Sequence, residues 1–184
     1  MKRESLQAQK SETNGRLKSL EKMEIKIRAV AVTVSDRCSR GEAEDVSGAV
    51  LVECLRKIGA EIVEKTIVSD DFDPLVEVLK NQSGRADVNL IVTTGGTGFA
   101  PRDTTPEATR AVIEREAPGL AEAMRFESLK KTQTAMLSRG VCGIRGNCLI
   151  INLPGSPKAV RECFDVIKPV LPHAVALLAG QTEH

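Results

Sequence analysis

From Ile25 onward the apolar positions of this chain alternate between two spacings. Short runs dominated by β-branched and aliphatic residues occur at Ala29–Val34, Glu61–Val68, Asn89–Thr94 and Cys148–Asn152. All four read as strands, and the third and fourth carry so few polar residues that they predict burial on both faces. Between them lie segments with apolar residues three and four apart, which predict helices over Ser47–Ile58, Asp73–Gln82, Pro106–Glu116 and Leu120–Leu129. Gly59 suits the position just past the first helix, where positive φ is common, and Pro118-Gly119 separates the last two. Ser156-Pro157 opens a long final helix, expected to kink or break near Pro169 and Pro172, which have no N–H to donate. The stretch between Leu129 and Cys148 reads as irregular.

Strand and helix in alternation imply an α/β fold: three layers, a mostly parallel sheet with helices on both faces, in a single domain. Residues 1–24 are rich in Lys, Glu, Ser and Gln, with scattered Leu6, Leu17 and Leu20. They read as a disordered or loosely helical extension with little apolar surface to bury, or alternatively as an amphipathic partner helix. Residues 25–184 form the domain. In open sheets of this kind ligands bind at the carboxyl ends of the strands. Four segments share that address: Ser35-Asp36, Ser69-Asp70-Asp71, Gly95-Gly96-Thr97-Gly98 and Asn152-Leu153-Pro154-Gly155.

Composition narrows the function classes. Lys and Arg number 26 against 25 acids, a net charge of +1, so no overall field attracts nucleic acid or a membrane and any anion site must be local. Trp and Tyr are absent, which removes the stacking platform used to bind single strands. No apolar run approaches the roughly 20 residues that span a bilayer. The five cysteines show no metal-binding spacing and no disulfide framework, which points to a reducing, cytoplasmic compartment. With only His173 and His184 available, histidine-based nucleophile schemes have little support, and His173 reads as structural.

The most informative segment is Leu90 to Thr109, LIVTTGGTGFAPRDTTPEAT. A buried strand runs into Gly95, Gly96, Thr97 and Gly98, where missing side chains let backbone N–H groups approach an anion. Arg102 and Asp103 follow, and then a helix start with Thr105 as N-cap, Pro106 at the first helical position and Glu107 in the first turn. A tight turn without a ligand would use the same glycines. The loop has neither the Lys-Ser/Thr of a P-loop nor a complete G-x-G-x-x-G.

GGTGFAPRDTTPEAT and the following Glu114-Arg115-Glu116-Ala117-Pro118-Gly119 closely resemble the molybdopterin adenylyltransferase family of molybdenum cofactor biosynthesis, which includes the gephyrin G domain. The resemblance continues in Ala135-Met136-Leu137-Ser138-Arg139, in Cys142-Gly143-Ile144-Arg145-Gly146 and in Ile150–Ser156. Thr33-Val34-Ser35-Asp36 and Glu44–Gly48 also fit, so the likeness runs from about Ile27 to Gly180 and leaves out the N-terminal extension. It implies adenylyl transfer from Mg·ATP to molybdopterin, giving adenylyl-molybdopterin and pyrophosphate, by a homotrimer. The same resemblance leaves room for a molybdopterin- or nucleotide-binding paralogue, or a scaffold with weak or no catalysis.

Carried over residue by residue, the resemblance gives Asp70 and Asp103 the catalytic and Mg²⁺-holding roles, with Asp71 as an auxiliary. Taken alone, Asp70 is an ordinary turn acid or helix cap before Asp73-Pro74, and Asp103 could simply complement a helix dipole. Relatives often read Pro-Asp-Glu where this chain has Ser69-Asp70-Asp71, so the auxiliary acid is the altered one. Gly95, Gly96, Thr97 and Gly98 would hold phosphate or nucleotide. Ser128, Ser138 and Asn152 match pterin-binding positions, and Pro154 and Gly155 complete the substrate set. Arg139 and Arg145 could pair with phosphate or form surface salt bridges. Lys158 reads as a solvated charge, and Cys142 lies near enough to the site to be chemically sensitive.

Overall fold

The computed structural model describes residues 25–181. The proposed extension over residues 1–24 lies outside this range. Strands β1 (Arg28–Val34), β2 (Glu61–Val68), β3 (Leu90–Thr94) and β6 (Cys148–Leu153) run parallel in the spatial order β2-β1-β3-β6. β5 (Cys142–Arg145) is antiparallel to β6, and β4 (Arg115–Glu116) is antiparallel to β5, completing a six-stranded sheet. The helices are α1 (Asp36–Ser39), α2 (Val46–Lys57), α3 (Phe72–Ser83), α4 (Thr105–Arg110), α5 (Pro118–Leu129), α6 (Pro157–Ile167) and α7 (Leu171–Leu178), with a 3₁₀ turn at Gln133–Leu137.

Alternation along each strand divides the core in two. Ala29, Ala31, Leu90, Val92, Leu149 and Ile151 face one cluster, which includes side chains from α2, α5, α6 and α7. Val30, Val32, Val34, Ile91, Cys148 and Ile150 face the other, built with Leu75, Val76 and Leu79 of α3 and Ala108 of α4. β1, β3 and β6 are therefore covered on both sides, as the apolar runs of β3 and β6 predict.

Two elements depart from the sequence expectation. The helix expected over Pro106–Glu116 ends at Arg110, and its far end joins the sheet. Glu114 N donates to Ile144 O at 2.8 Å and Ala117 N to Cys142 O at 2.8 Å, so a ladder with β5 replaces the last helical turns. The supposedly irregular stretch holds β5 itself, a hairpin with β6 across Gly146-Asn147, where Gly146 takes φ +53°. The expected break in the last helix falls between Ile167 and Leu171, beside both prolines.

Asp45 locks the start of α2. Its carboxylate accepts from Gly48 N (2.8 Å) and the Thr33 hydroxyl (3.0 Å) and pairs with Lys65 at 2.8 Å, with its side chain only 6% exposed. Burial pushes the Asp45 carboxyl up, but Lys65, the Gly48 N–H and Thr33 outweigh it and hold the group below the usual carboxylate range. A folded-state pKa below the unfolded one gives stability that is complete above the unfolded value, about 4, and is lost as pH falls through the folded value. Asp45→Asn should therefore lower the melting temperature at neutral pH and flatten its acid dependence below about pH 4, as calorimetry across pH would read.

Candidate functional site

Crossing from β1 out to β2 and back past β1 to β3 creates a switch point, where an open sheet parts its loops. The carboxyl ends of β1, β2, β3 and β6 meet there, and all four segments named from the sequence converge. Gly95 N donates to Leu153 O (3.2 Å), the Thr94 hydroxyl to Pro154 O (2.8 Å), and Ser35 N to Val68 O (2.9 Å).

Two glycines of the loop are dictated by geometry. Gly95 has φ +104°, and a Cβ there would lie 2.2 Å from Val34 O. Gly96 has φ +62°, and its Cβ would lie 2.3 Å from the Thr105 hydroxyl. Any side chain would be both strained and in collision. Thr105 is the first residue of α4 rather than its cap, which is Thr104. Its buried hydroxyl donates to Gly95 O at 2.9 Å, so the threonine fastens the loop to the helix instead of capping it. The N–H groups of Gly96, Thr97 and Gly98 donate to no acceptor among the described residues, which leaves them for an anion. The Thr97 side chain itself is buried.

Asp70, Gly95, Gly96 and Gly155 line a cleft of about 560 Å³ together with Ser35 and Ser47. Asp70 Oδ2 accepts from Asp36 N (2.7 Å), and Asp36 Oδ1 accepts from Asp70 N (3.0 Å). Burial pushes the Asp70 carboxyl up; the Asp36 N–H opposes this, while the charges of Asp36 and Asp103 add to it. Arg102 pairs with Asp36 (2.6 Å) and with Asp71 (2.9 Å). The Arg102 hydrogen bond and the Asp70 N–H hold the Asp36 carboxyl below its usual range. Asp71, the proposed auxiliary, is exposed and engaged by Arg102 and by the Ser69 hydroxyl.

Asp103 lines the neighbouring hollow, of about 470 Å³, with Phe99, Thr104, Glu107 and Arg139. Its Oδ2 accepts from Ala100 N at 2.9 Å. The Thr104 hydroxyl donates to Asp70 O (2.8 Å), joining the two hollows. Arg139 is built into this wall rather than offered to a phosphate. Its guanidinium donates to Gly98 O (2.7 Å), to Asp103 O and to Glu107, and its backbone N–H to Thr97 O.

Ser128, Ser138, Asn152 and Pro154 line a third, separate pocket with Arg125 and Cys163. Its volume is about 30 Å³, room for one or two waters rather than a ring. Ser128 Oγ lies 3.7 Å from Cys163 Sγ, and Arg125 donates to Gly140 O at 3.0 Å. Asn152 turns its side chain elsewhere. Strand alternation places it with Cys148 and Ile150, facing α4, and its amide bonds Val141 N (3.1 Å), Thr93 Oγ1 (3.1 Å) and Thr109 Oγ1 (2.9 Å).

Arg145 lies at the opposite edge of the sheet. β5 runs antiparallel to β6, so Arg145 pairs with Cys148, the first residue of β6, and donates to Val112 O at 3.0 Å. Lys158 is exposed. Cys142 is 1% exposed, and burial pushes its thiol up to about 12, so it remains a thiol and the sensitivity expected of it has no physical basis. All five cysteines are free. The sequence places Asp36 at the ligand edge and Arg102 beside the glycine loop without linking the two, and it does not single out Arg125. Arg125, one turn before Ser128 on α5, could have been found from that spacing.

Fold and site together define a ligand-binding α/β domain with adjoining anion and polar–apolar pockets at the switch point of its sheet. Residues 30–173 match the family model described as "Probable molybdopterin binding domain" (MoCF_biosynth), and the chain belongs to that family. It is 44% identical over 151 residues to the molybdopterin adenylyltransferase of Helicobacter pylori J99, covering 81% of this chain and 86% of that protein. It is 49% identical over 148 residues to the molybdenum cofactor synthesis protein cinnamon of Drosophila melanogaster, covering 80% of this chain but only 25% of that much longer protein. Among solved structures, the molybdopterin biosynthesis enzyme MoaB of Thermus thermophilus superimposes with a TM-score of 0.79 at 48% identity, covering 84% and 97% of the two chains.

Proposed function

We propose that the protein transfers the adenylyl group of Mg·ATP to molybdopterin, yielding adenylyl-molybdopterin and pyrophosphate. The observation that carries this reading is the pairing of a cleft lined by Asp70, Gly95 and Gly96 with a separate pocket lined by Ser128, Ser138 and Pro154. A nucleotide and a second substrate need two adjoining contact regions, and the cleft and the mouth of the small pocket are joined here by consecutive residues, Pro154 and Gly155. The Helicobacter pylori relative named molybdopterin adenylyltransferase supports the same assignment.

An oxygen of the pterin phosphate would form a bond to the α-phosphorus of ATP as the bond to pyrophosphate breaks, the electron pair leaving with pyrophosphate. Reaction of this kind depends on positioning and charge neutralisation rather than a covalent enzyme intermediate. Free N–H groups at Gly96, Thr97 and Gly98 would hold phosphate oxygens. The pterin would lie across the mouth of the small pocket, near Ser128 and Ser138, with Arg125 the cation at hand.

No three His, Cys, Asp or Glu side chains form a metal cage among the described residues. Mg²⁺ normally takes only one or two carboxylates, plus substrate phosphates and water, so Asp70 and Asp103 are a fitting donor set. When bound, the ion would neutralise charge on the phosphates. The local positive charge is otherwise modest, because Arg102 and Arg139 are already paired.

Pyrophosphate release from ATP should depend on molybdopterin and stop in excess chelator. Release without molybdopterin, or turnover undiminished by chelator, would overturn the reading. A cytoplasmic homotrimer that hands its product to other molybdenum cofactor biosynthesis proteins completes the proposal. The five free cysteines support the reducing compartment, and light scattering tests the trimer.

A further inference from the structure

We propose that Asp36 is the positioning residue of this site, aiming one oxygen of Asp70 into the cleft. The inference rests on the assignment of Asp70 to the metal–nucleotide site. Residues 36 and 70 close a reciprocal pair in which each backbone N–H donates to the other's carboxylate, at 2.7 and 3.0 Å. The pair joins the ends of β1 and β2, and it fixes both the backbone and the side chain of Asp70. Oδ2 of Asp70 is held by Asp36 N, while Oδ1 has no hydrogen-bond partner among the described residues. One oxygen is tied and one is left to bind.

Asp36 is itself restrained. Arg102 grips both of its oxygens, with Nε at 2.6 Å from Oδ2 and Nη2 at 3.0 Å from Oδ1, and Nη2 also reaches Asp71. The Asp36 side chain is only 19% exposed against 58% for Arg102. The well-defined partner is thus the one that faces Asp70. Groups that orient a metal-binding carboxylate through hydrogen bonds typically change metal affinity or activity by about 10–100-fold when lost.

Charge and geometry can be separated by two substitutions. Asp36→Asn keeps an acceptor for the Asp70 N–H and removes the charge; Asp36→Glu keeps the charge and displaces the acceptor by one methylene. The full chain would be titrated with Mn²⁺ in the presence of a non-hydrolysable ATP analogue, by electron paramagnetic resonance, and assayed for kcat and for KM toward molybdopterin. Asp36→Glu should weaken Mn²⁺ binding and lower kcat by about tenfold, leaving KM for molybdopterin nearly unchanged, while Asp36→Asn, which keeps the acceptor for the Asp70 N–H but turns an amide N–H toward Arg102, loses clearly less than Asp36→Glu. The Asp70 amide should lose protection from hydrogen exchange in Asp36→Glu and keep it in Asp36→Asn. Equal losses in both variants, or none in Asp36→Glu, would overturn the proposal. A parent chain without molybdopterin-dependent turnover sinks the proposed function instead, since Mn²⁺ binding and amide exchange still report on Asp36.

Discussion

Asp103→Asn should lower turnover by about a hundredfold or more, the scale of losing one electrostatic stabiliser of a transition state, without destabilising the fold. Asp103 Oδ2 accepts from Ala100 N at 2.9 Å, closing the turn between the glycine loop and α4. An asparagine oxygen can keep that bond, so the substitution removes charge and little else. The carboxylate lines a hollow beside Asp70, and its field contributes to raising the Asp70 pKa. A second acid that disfavours the ionised form of Asp70 is a poor arrangement for stability and a good one for a cation. Melting temperature should hold or rise slightly, since removing a functional carboxylate often relieves the fold. Pterin affinity should change little, because Ser128 and Ser138 lie in a different pocket. If Asp103 is only a turn acid, stability falls and turnover stays normal. Turnover, pterin binding and calorimetry on this one variant distinguish the two.

How far the sequence carried the argument depends on the range of the interaction. The strands covered on both faces were legible because their runs are almost wholly apolar, as in Ile150-Ile151, both 0% exposed. The carboxyl-end address of the site followed from the βα alternation, and the glycine loop from its composition. β4 was not legible, because Arg115-Glu116 is a strand only by virtue of partners at Gly143 and Ile144. The local pattern continues the helix, and tertiary hydrogen bonds override it. β5 left one readable signal, the Gly146-Asn147 pair between two apolar runs, a typical two-residue hairpin loop. Arg102 and Asp36 are 66 residues apart, and nothing in a single sequence connects them. Arg139 and Arg145 show the same limit from the other side. Both sit in motifs of the family, yet one is bonded into the loop wall and the other lies at the far edge of the sheet.

Asn152 gives the sharpest contrast between a motif position and its physical role. The family likeness places it among pterin contacts, whereas its side chain is 2% exposed and bonded on the α4 side of the sheet. Both amide hydrogens are taken, by the Thr93 and Thr109 hydroxyls, and its oxygen accepts from Val141 N. Neither N–H is left for a ligand. Asn152→Ala would strand the Val141 N–H and remove a partner from two buried hydroxyls, at a cost of about 1–3 kcal/mol for an unsatisfied buried group. The gap left behind adds to that, so a total near 3 kcal/mol or more is expected. The two hydroxyls lose a donor but keep a rotatable O–H of their own, whereas the Val141 N–H is fixed in the backbone and leads directly into β5. Loosening there should widen the Ser138–Gly140 wall of the small pocket and raise KM for molybdopterin only as a consequence of lost stability. The check is a denaturant midpoint together with KM measured well below the melting temperature. A large rise in KM with an unchanged midpoint would restore Asn152 to the pterin contacts. A lowered midpoint with KM within about threefold of the parent, on the scale of a weak indirect effect, makes it the brace that holds β6 to α4.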